Sequence, residues 1–113
     1  MAGKTPRETK FEAAPGFKAL YRKFKKLNPE IQKTIEIFNS NKRKIPAEQL
    51  PAKMKDHVLR GRLDGIRECH LADDVLLLYT HQDGVIKFLH ICTHDDLSGR
   101  KEKQLAANLK NLH

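Results

Sequence analysis

The stretch I-R-E-C-H-L-A-D-D-V-L-L-L-Y-T-H-Q-D-G-V-I-K-F-L-H-I-C-T, residues 66–93, decides the fold, because its apolar residues recur with the short period of β-strands. It predicts three strands, at 66–71, 75–80 and 85–93, joined by tight turns at Ala72-Asp73 and Gln82-Asp83-Gly84. The segment 75–79 is apolar on both faces, which favours a central strand. These residues therefore predict an antiparallel meander.

The residues before this stretch predict two helices. Pro15 is expected to open the first helix, which runs to Leu27 with one apolar stripe at helical spacing. Asn28-Pro29-Glu30 is expected to cap the second helix, which should end near 39–41. A short link makes the pair an antiparallel hairpin that packs on the sheet, so the fold class is α+β. Residues 9–12 are a candidate short strand at the sheet edge.

The residues after the meander give a weaker secondary-structure signal than the residues before it. Gly99 breaks the strand pattern, and 100–112 favour a weak helix with Leu105, Leu109 and Leu112 on one side. Three alternatives stay open: this helix packs on the sheet, meets a partner, or is partly disordered. At 113 residues the chain is expected to form a single domain, 1–113.

Charge is unevenly distributed along the chain. The net charge is +8, and residues 1–55 carry 14 basic but only 5 acidic side chains. A basic half beside a histidine-rich half is typical of a nucleic-acid-binding surface next to a reactive site, although a solvated lysine face would look the same. Two cysteines without a C-x-x-C motif indicate a reducing compartment. With no long apolar run and no apolar leader in the first fifteen residues, we expect a cytoplasmic protein without a membrane segment.

Candidate acid and base groups lie at the predicted strand ends. His70 ends the first long strand, Asp74 begins the next, His94 follows the last, and His57 precedes the sheet. Imidazole suits proton transfer because its ordinary pKa of about 6.5 lies near working pH. Each residue also has a simpler explanation: a strand-end histidine is commonly a surface residue, and Asp74 is a common turn residue.

Other readings of these groups remain open. A zinc site built from His70, His94 and Asp74 is conceivable, although it lacks a local ligand pair. His81 is expected to be exposed, and His90 is expected to lie in the core or in support of the site. Arg67 either lies close to the site or pairs with Glu68 or Asp64.

Three pieces of sequence occur together in order: D-H-V-L-R-G (56–61), G-I-R-E-C-H-L-A-D-D-V-L-L-L-Y (65–79) and T-H-D-D-L (93–97). In this order and spacing they resemble the YafQ branch of the RelE-like toxins, which are ribosome-dependent mRNA endonucleases of bacterial toxin–antitoxin pairs. The sequence likeness is close over residues 55–97. Over residues 9–54 only the order of elements, a strand followed by two helices, and the basic surface are similar. It implies a RelE-like fold with a core at about 7–98 and a C-terminal extension at 99–113.

The resemblance also implies roles for residues. His57, His70, Asp74 and His94 match the family's catalytic positions, and Glu68 stands where the family has an acidic residue. We expect His94 to act as general acid and His70 with Asp74 to supply the base, while His57 and Arg67 stabilise charge or orient the phosphate. His57 and His94 could exchange roles. Ser98 departs from the family, where an aromatic residue that helps to hold RNA is common.

The implied activity needs neither a metal nor another cofactor, and the implied partners are a cognate antitoxin, the ribosome and mRNA. Contacts with RNA are expected from these basic side chains: Lys23, Lys26, Lys42, Arg43, Lys44, Arg60 and Arg62. Two competing hypotheses come from other classes. One is a RelE-like module that binds the ribosome, RNA or a partner without cleaving, and the other is a small metal-dependent hydrolase.

Overall fold

The computed structural model describes residues 8–110 and residue 112. The expected start of the core at residue 7 lies outside the described residues. The strands are β1 (Lys10–Ala13), β2 (His57–Val58), β3 (Arg67–Ala72), β4 (Val75–Gln82) and β5 (Val85–Cys92), and the helices are α1 (Phe17–Leu27), α2 (Glu30–Arg43) and α3 (Gly99–Leu109). Short 3-10 turns lie at Ala52–Met54, Gly61–Leu63 and Asp95–Leu97.

One five-stranded sheet forms the centre of the fold, with strand order β1-β5-β4-β3-β2. The predicted meander is confirmed, since β3, β4 and β5 pair antiparallel in sequence order. The central position of β4 is confirmed as well, because the residues from Leu76 to Tyr79 have no exposed surface. The edge strand β1 runs parallel to β5, with Lys10 opposite Val85. The two-residue strand β2 was not predicted.

The predicted hairpin turn at Gln82-Asp83-Gly84 is formed between β4 and β5. Asp83 has a φ of 54° and Gly84 a φ of 77°. Two consecutive residues with positive φ match the right-handed twist of the flanking strands, and aspartate and glycine are among the residues that tolerate this conformation best. The D-G pair therefore fixes the register of β4 against β5.

The helix hairpin is confirmed, with small differences at its boundaries. Helix α1 begins at Phe17 because Gly16, with a φ of 85°, lies in the left-handed region, so Pro15 stays outside the helix. The side chain of Asn28 accepts a hydrogen bond from the backbone N–H of Glu30 at 3.1 Å, as expected of a capping residue. Helix α2 continues to Arg43, beyond its predicted end.

The two helices cover one face of the sheet. The core on this side contains Phe17, Ile31, Phe38 and Tyr79. The rings of Phe38 and Tyr79 meet edge to face with their centroids 4.9 Å apart, a geometry worth about 0.5–1.5 kcal/mol beyond area burial. The hairpin and sheet therefore form one hydrophobic layer.

Helix α3 covers the opposite face. Leu105 and Leu109 are buried in a second core cluster with Ile66, Leu76 and Leu78. Of the three alternatives for this segment, the structure shows packing on the sheet. No helix in the described part of the chain is long and apolar enough to cross a membrane.

Candidate active site

Strand β2 brings His57 to the sheet. His57 pairs with Glu68 of β3 in the antiparallel ladder. Its Nδ1 lies 2.7 Å from the carbonyl oxygen of Lys55. Because a carbonyl oxygen only accepts, Nδ1 carries the proton and donates it. The other ring nitrogen, Nε2, then lies 3.6 Å from Oε1 of Glu68.

The carboxylate of Glu68 stands between two histidines. Its side chain is 8% exposed, and its Oε1 atom lies 3.6 Å from Nε2 of His57 and 3.9 Å from Nε2 of His70. Burying a carboxylate costs free energy unless positive charge or hydrogen bonds compensate. Either imidazole supplies that compensation when it takes up a proton. Glu68 is therefore placed to stabilise protonated forms of both rings.

His70 lies near the end of β3, where the ladder with β4 shifts register between His70 and Ala72. Burial lowers its pKa below the ordinary value of 6.5, because burial disfavours the imidazolium, and the negative charge of Glu68 opposes this shift. The ring is therefore mostly neutral at pH 7. A neutral imidazole has a lone pair and can accept a proton.

Asp74 holds His94 in place. Its Oδ1 accepts hydrogen bonds from the backbone N–H of His94 at 2.9 Å and from the ring Nδ1 at 2.7 Å. These bonds lower the pKa of Asp74, the backbone bond most, because they favour the charged carboxylate. With Nδ1 donating to Asp74, Nε2 of His94 is left for other chemistry. The expectation that Asp74 assists His70 is wrong in its pairing, because the turn directs the carboxylate across to the loop after β5.

The two rings of His70 and His94 lie side by side. Their centroids are 5.3 Å apart, with an angle of 63° between their planes. Four of the sequence-predicted groups and Glu68 thus meet at one end of the sheet, from β2, β3, the β3–β4 turn and the loop after β5.

An open recess of about 280 Å³ lies beside His70 and is lined also by Lys53 and Lys55. A larger groove of about 580 Å³ lies between α1, β5 and α3, and His90 lines it.

Arg67 is not part of this cluster. It points to the helix-covered face, where its Nη2 lies 3.0 Å from Oδ2 of Asp56. The expected pairing of Arg67 with Glu68 or Asp64, and its place near the phosphate, are wrong. The reason is strand alternation: neighbours on β3 point to opposite faces, so Arg67 and Glu68 cannot share one.

The predicted RNA-binding side chains differ in their surroundings. Lys42 is 7% exposed and lies near Asp56 and Arg67, so its assignment as an RNA contact is wrong. Arg62 pairs with Glu102 at 3.6 Å, and Lys44 pairs with Glu48 at 2.6 Å. The guanidinium of Arg43 lies 5.5 Å from the ring centroid of Phe11. The remaining three, Lys23, Lys26 and Arg60, are exposed.

Sequence reasoning missed two aspartates that support the site. Asp96 accepts hydrogen bonds from the backbone N–H and the hydroxyl of Thr93, at 2.9 and 3.1 Å, and so braces the loop that carries His94. Asp56, the residue before His57, anchors the start of β2 through hydrogen bonds from Arg67 and Tyr79. The only signal for either was an aspartate close to a histidine, which is too common to single out. Within residues 8–110 and 112, no three histidine, cysteine or acidic side chains are arranged to hold a metal ion, so the zinc alternative finds no support.

Comparison with known proteins identifies the family of this chain. The family model described as "Bacterial toxin of type II toxin-antitoxin system, YafQ" matches residues 9–99. The curated mRNA interferase toxin YafQ of Escherichia coli (strain K12) is 40% identical over 50 residues, which are 44% of this chain. This chain spans only about half, 54%, of the length of that relative.

Two solved structures have a similar fold. The toxin–antitoxin complex DinJ–YafQ of E. coli contains a chain that matches with a TM-score of 0.64 at 24% identity, covering 82% of this chain and 100% of that one. A copper-bound mutant toxin from Helicobacter pylori matches with a TM-score of 0.62 at 25% identity, covering 80% of this chain and 99% of that one. The predicted α+β, RelE-like fold is thereby confirmed. With its family model matched over most of its length, the chain belongs to the YafQ family of bacterial toxins of type II toxin–antitoxin systems.

Proposed function

We propose that this toxin is a ribosome-dependent endoribonuclease that cleaves translated mRNA without a metal ion. The observation that carries the proposal is the pair His70 and His94, two imidazoles 5.3 Å apart in different electrostatic surroundings. Acid–base catalysis needs such a pair, because one group must accept a proton while the other donates one. RNA supplies its own nucleophile in the 2′-hydroxyl.

His70 is proposed as the general base. Burial lowers its pKa, so it is neutral at pH 7 and can take the proton of the 2′-hydroxyl. The 2′-oxygen then attacks the phosphorus, and the P–O5′ bond breaks. The products are a 2′,3′-cyclic phosphate on one fragment and a 5′-hydroxyl on the other. Glu68, 3.9 Å from His70, would stabilise the imidazolium that forms.

His94 is proposed as the general acid. Its Nδ1 is held by Asp74, so the proton that it donates to the leaving 5′-oxygen would come from Nε2. The carboxylate of Asp74 fixes the orientation of the ring during the transfer. Each proton-transfer role is typically worth about 10²–10⁴-fold in rate. His57 would stabilise charge on the crowded phosphate when it is protonated.

The exposed basic side chains are proposed to hold RNA. Lys23, Lys26 and Arg60 are exposed. The net charge of +8 would attract both ribosomal RNA and an acidic partner. We propose a cognate antitoxin as that partner, because the DinJ–YafQ structure is itself a toxin–antitoxin complex. An antitoxin that covers the basic surface would block access of the substrate. Activity on translating ribosomes would place the protein in the cytoplasm.

A second candidate is a module that binds the ribosome without cutting. Ser98 favours it, because the serine cannot stack on a base as an aromatic side chain does. The arrangement of His70, His94 and Asp74 argues against it, since binding alone does not require two imidazoles in contact.

The experiment that separates the two candidates is a translation reaction with ribosomes and a defined mRNA. Primer extension maps cuts after addition of wild type, His94→Ala or His81→Gln. His81 lies at the other end of β4, near Lys42 and Arg67, so His81→Gln is a matched histidine control. We expect cuts within codons from wild type and control, and at least about a hundredfold loss in His94→Ala. An intact message with translation blocked would support the binding module.

A further inference from the structure

The carboxylate of Asp56 lies on the helix-covered face, away from the histidine cluster. Its Oδ2 accepts a hydrogen bond from Nη2 of Arg67 at 3.0 Å, and its Oδ1 accepts one from the hydroxyl of Tyr79. The side chain of Asp56 is 15% exposed. Charge-assisted bonds of this kind, partly shielded from water, are among the stronger contacts in proteins. This carboxylate therefore ties the residue directly before β2 to strands β3 and β4.

Strand β2 needs such an anchor. It contains only two residues, His57 and Val58, at the edge of the sheet, and so short a ladder has little stability of its own. Just before it, Lys55 has a φ of 50°, a left-handed conformation that is uncommon for residues other than glycine. A strained residue followed by a two-residue strand keeps its geometry only where neighbouring contacts impose it.

The ring of His57 depends on this backbone geometry. Its Nδ1 donates to the carbonyl oxygen of Lys55, the residue on the other side of Asp56. That bond makes Nε2 the nitrogen without a proton in the neutral ring, and it directs Nε2 toward Glu68. If the segment 55–57 moves, the ring loses its hydrogen bond, and both neutral tautomers become accessible.

We propose that Asp56, held by Arg67 and Tyr79, is a positioning residue that fixes the ring orientation and tautomer of His57 from the opposite face of the sheet. The effect passes through one peptide unit, because adjacent strand residues point to opposite faces. The catalytic consequence rests on the proposed endoribonuclease function, whereas the tautomer itself does not.

The central variant is Asp56→Asn, which keeps the shape of the side chain and removes its charge. Tyr79→Phe is the milder variant, since it removes one hydroxyl and keeps the ring that packs on Phe38. The matched control is Asp83→Asn in the exposed β4–β5 turn, where asparagine tolerates the positive φ as well as aspartate does. Circular dichroism and thermal unfolding establish the temperature range in which each variant is folded.

The first readout is independent of activity: long-range ¹H–¹⁵N correlation spectra of the imidazoles, with the His57 signals assigned by their loss in His57→Gln. In wild type and in Asp83→Asn we expect neutral His57 with its proton on Nδ1. In Asp56→Asn, and to a lesser degree in Tyr79→Phe, we expect a mixture of both tautomers. If Asp56→Asn does not fold, Tyr79→Phe decides. If a folded Asp56→Asn or Tyr79→Phe variant kept the wild-type tautomer of His57, the proposal would be overturned, even if the melting temperature of that variant fell.

The second readout is cleavage on ribosomes. We expect kcat to fall roughly tenfold or more in Asp56→Asn with KM little changed, because a misplaced group weakens the chemical step more than binding. A rise in KM alone with an unchanged kcat would contradict positioning. If the wild-type protein cleaves no RNA while the tautomer of His57 still changes in Asp56→Asn and Tyr79→Phe, positioning by Asp56 stands and the endoribonuclease proposal fails.

Discussion

Asp74 and His94 are joined through Oδ1 and Nδ1 at 2.7 Å, although the two residues are 20 positions apart in the sequence. The same oxygen also receives the backbone N–H of His94 at 2.9 Å. One carboxylate thus fixes both the main chain and the ring of a residue on another loop. Asp74 can do so because it occupies the left-handed region, with a φ of 41°, at the β3–β4 turn.

Replacing Asp74 by asparagine should lower cleavage while the fold is kept. The amide oxygen still accepts both hydrogen bonds, and asparagine tolerates positive φ, but the charge-assisted bond to the ring of His94 becomes a weaker neutral one. We expect the cleavage rate at pH 7 to fall by a factor of up to about ten. Single-turnover cleavage on ribosomes measures this rate. Asp64→Asn, at another exposed turn, is the control. Equal rates in the two variants would show that the charge of Asp74 is not used.

Glu68→Gln should move the acid limb of the pH–rate profile. Burial holds the pKa of His70 below 6.5, and the charge of Glu68 raises it. Removing that charge lowers the pKa of His70 further, so the ring stays neutral to lower pH. As a general base must be neutral, the acid limb should shift to lower pH in Glu68→Gln. Imidazole titration by NMR checks the pKa directly, and a limb that moves to higher pH would exclude His70 as the base.

The exposed lysines of α1 should contribute to ribosome binding through charge. In the double variant Lys23→Gln, Lys26→Gln we expect weaker binding and a slope of log K against log salt that is smaller by about 1–2, because each lysine that contacts a phosphate releases about one counterion. Binding is measured by filtration or sedimentation at several salt concentrations. The double variant Lys103→Gln, Lys110→Gln, with one lysine on α3 and one directly after it, removes the same charge elsewhere. If both double variants behave alike, only overall charge matters.

Helix α3 should contribute to stability. Leu109 is 2% exposed and packs against the second sheet face, so Leu109→Ala should lower the free energy of unfolding by about 2–3 kcal/mol. Urea unfolding measures the change, and Lys103→Ala on the solvent side is the control. An unchanged free energy of unfolding in Leu109→Ala would mean that α3 leaves the sheet in solution.

The order and type of the main elements could be predicted from local patterns. The apolar run 75–79 required a central strand, and D-G at 83–84 required a tight turn. Strand β2 could not be predicted, because two residues carry no periodicity and their pairing with β3 is a contact between segments distant in the sequence. The parallel pairing of β1 with β5 also depends on long-range contact, which no local pattern encodes.

The predicted histidines do meet, but their partners differ from those expected. Asp74 is close to His70 in sequence, whereas its carboxylate binds His94, because the backbone at the turn directs it away from β3. Arg67 stands beside Glu68 in sequence and points to the other face. Sequence proximity therefore predicted which residues gather at this end of the sheet better than it predicted which of them touch. Their catalytic roles stay predictions.

The pairing of Lys10 with Val85 also sets the order in which the molecule can be assembled. Strand β1 is synthesised before its hydrogen-bonding partner β5, and the paired residues Lys10 and Val85 are 75 positions apart in the chain. The sheet of a nascent chain therefore lacks this parallel strand pair until β5 has been synthesised. His94, further on still, joins the site later than every other member of the cluster. The histidine cluster is therefore completed only after every strand of the sheet has been synthesised.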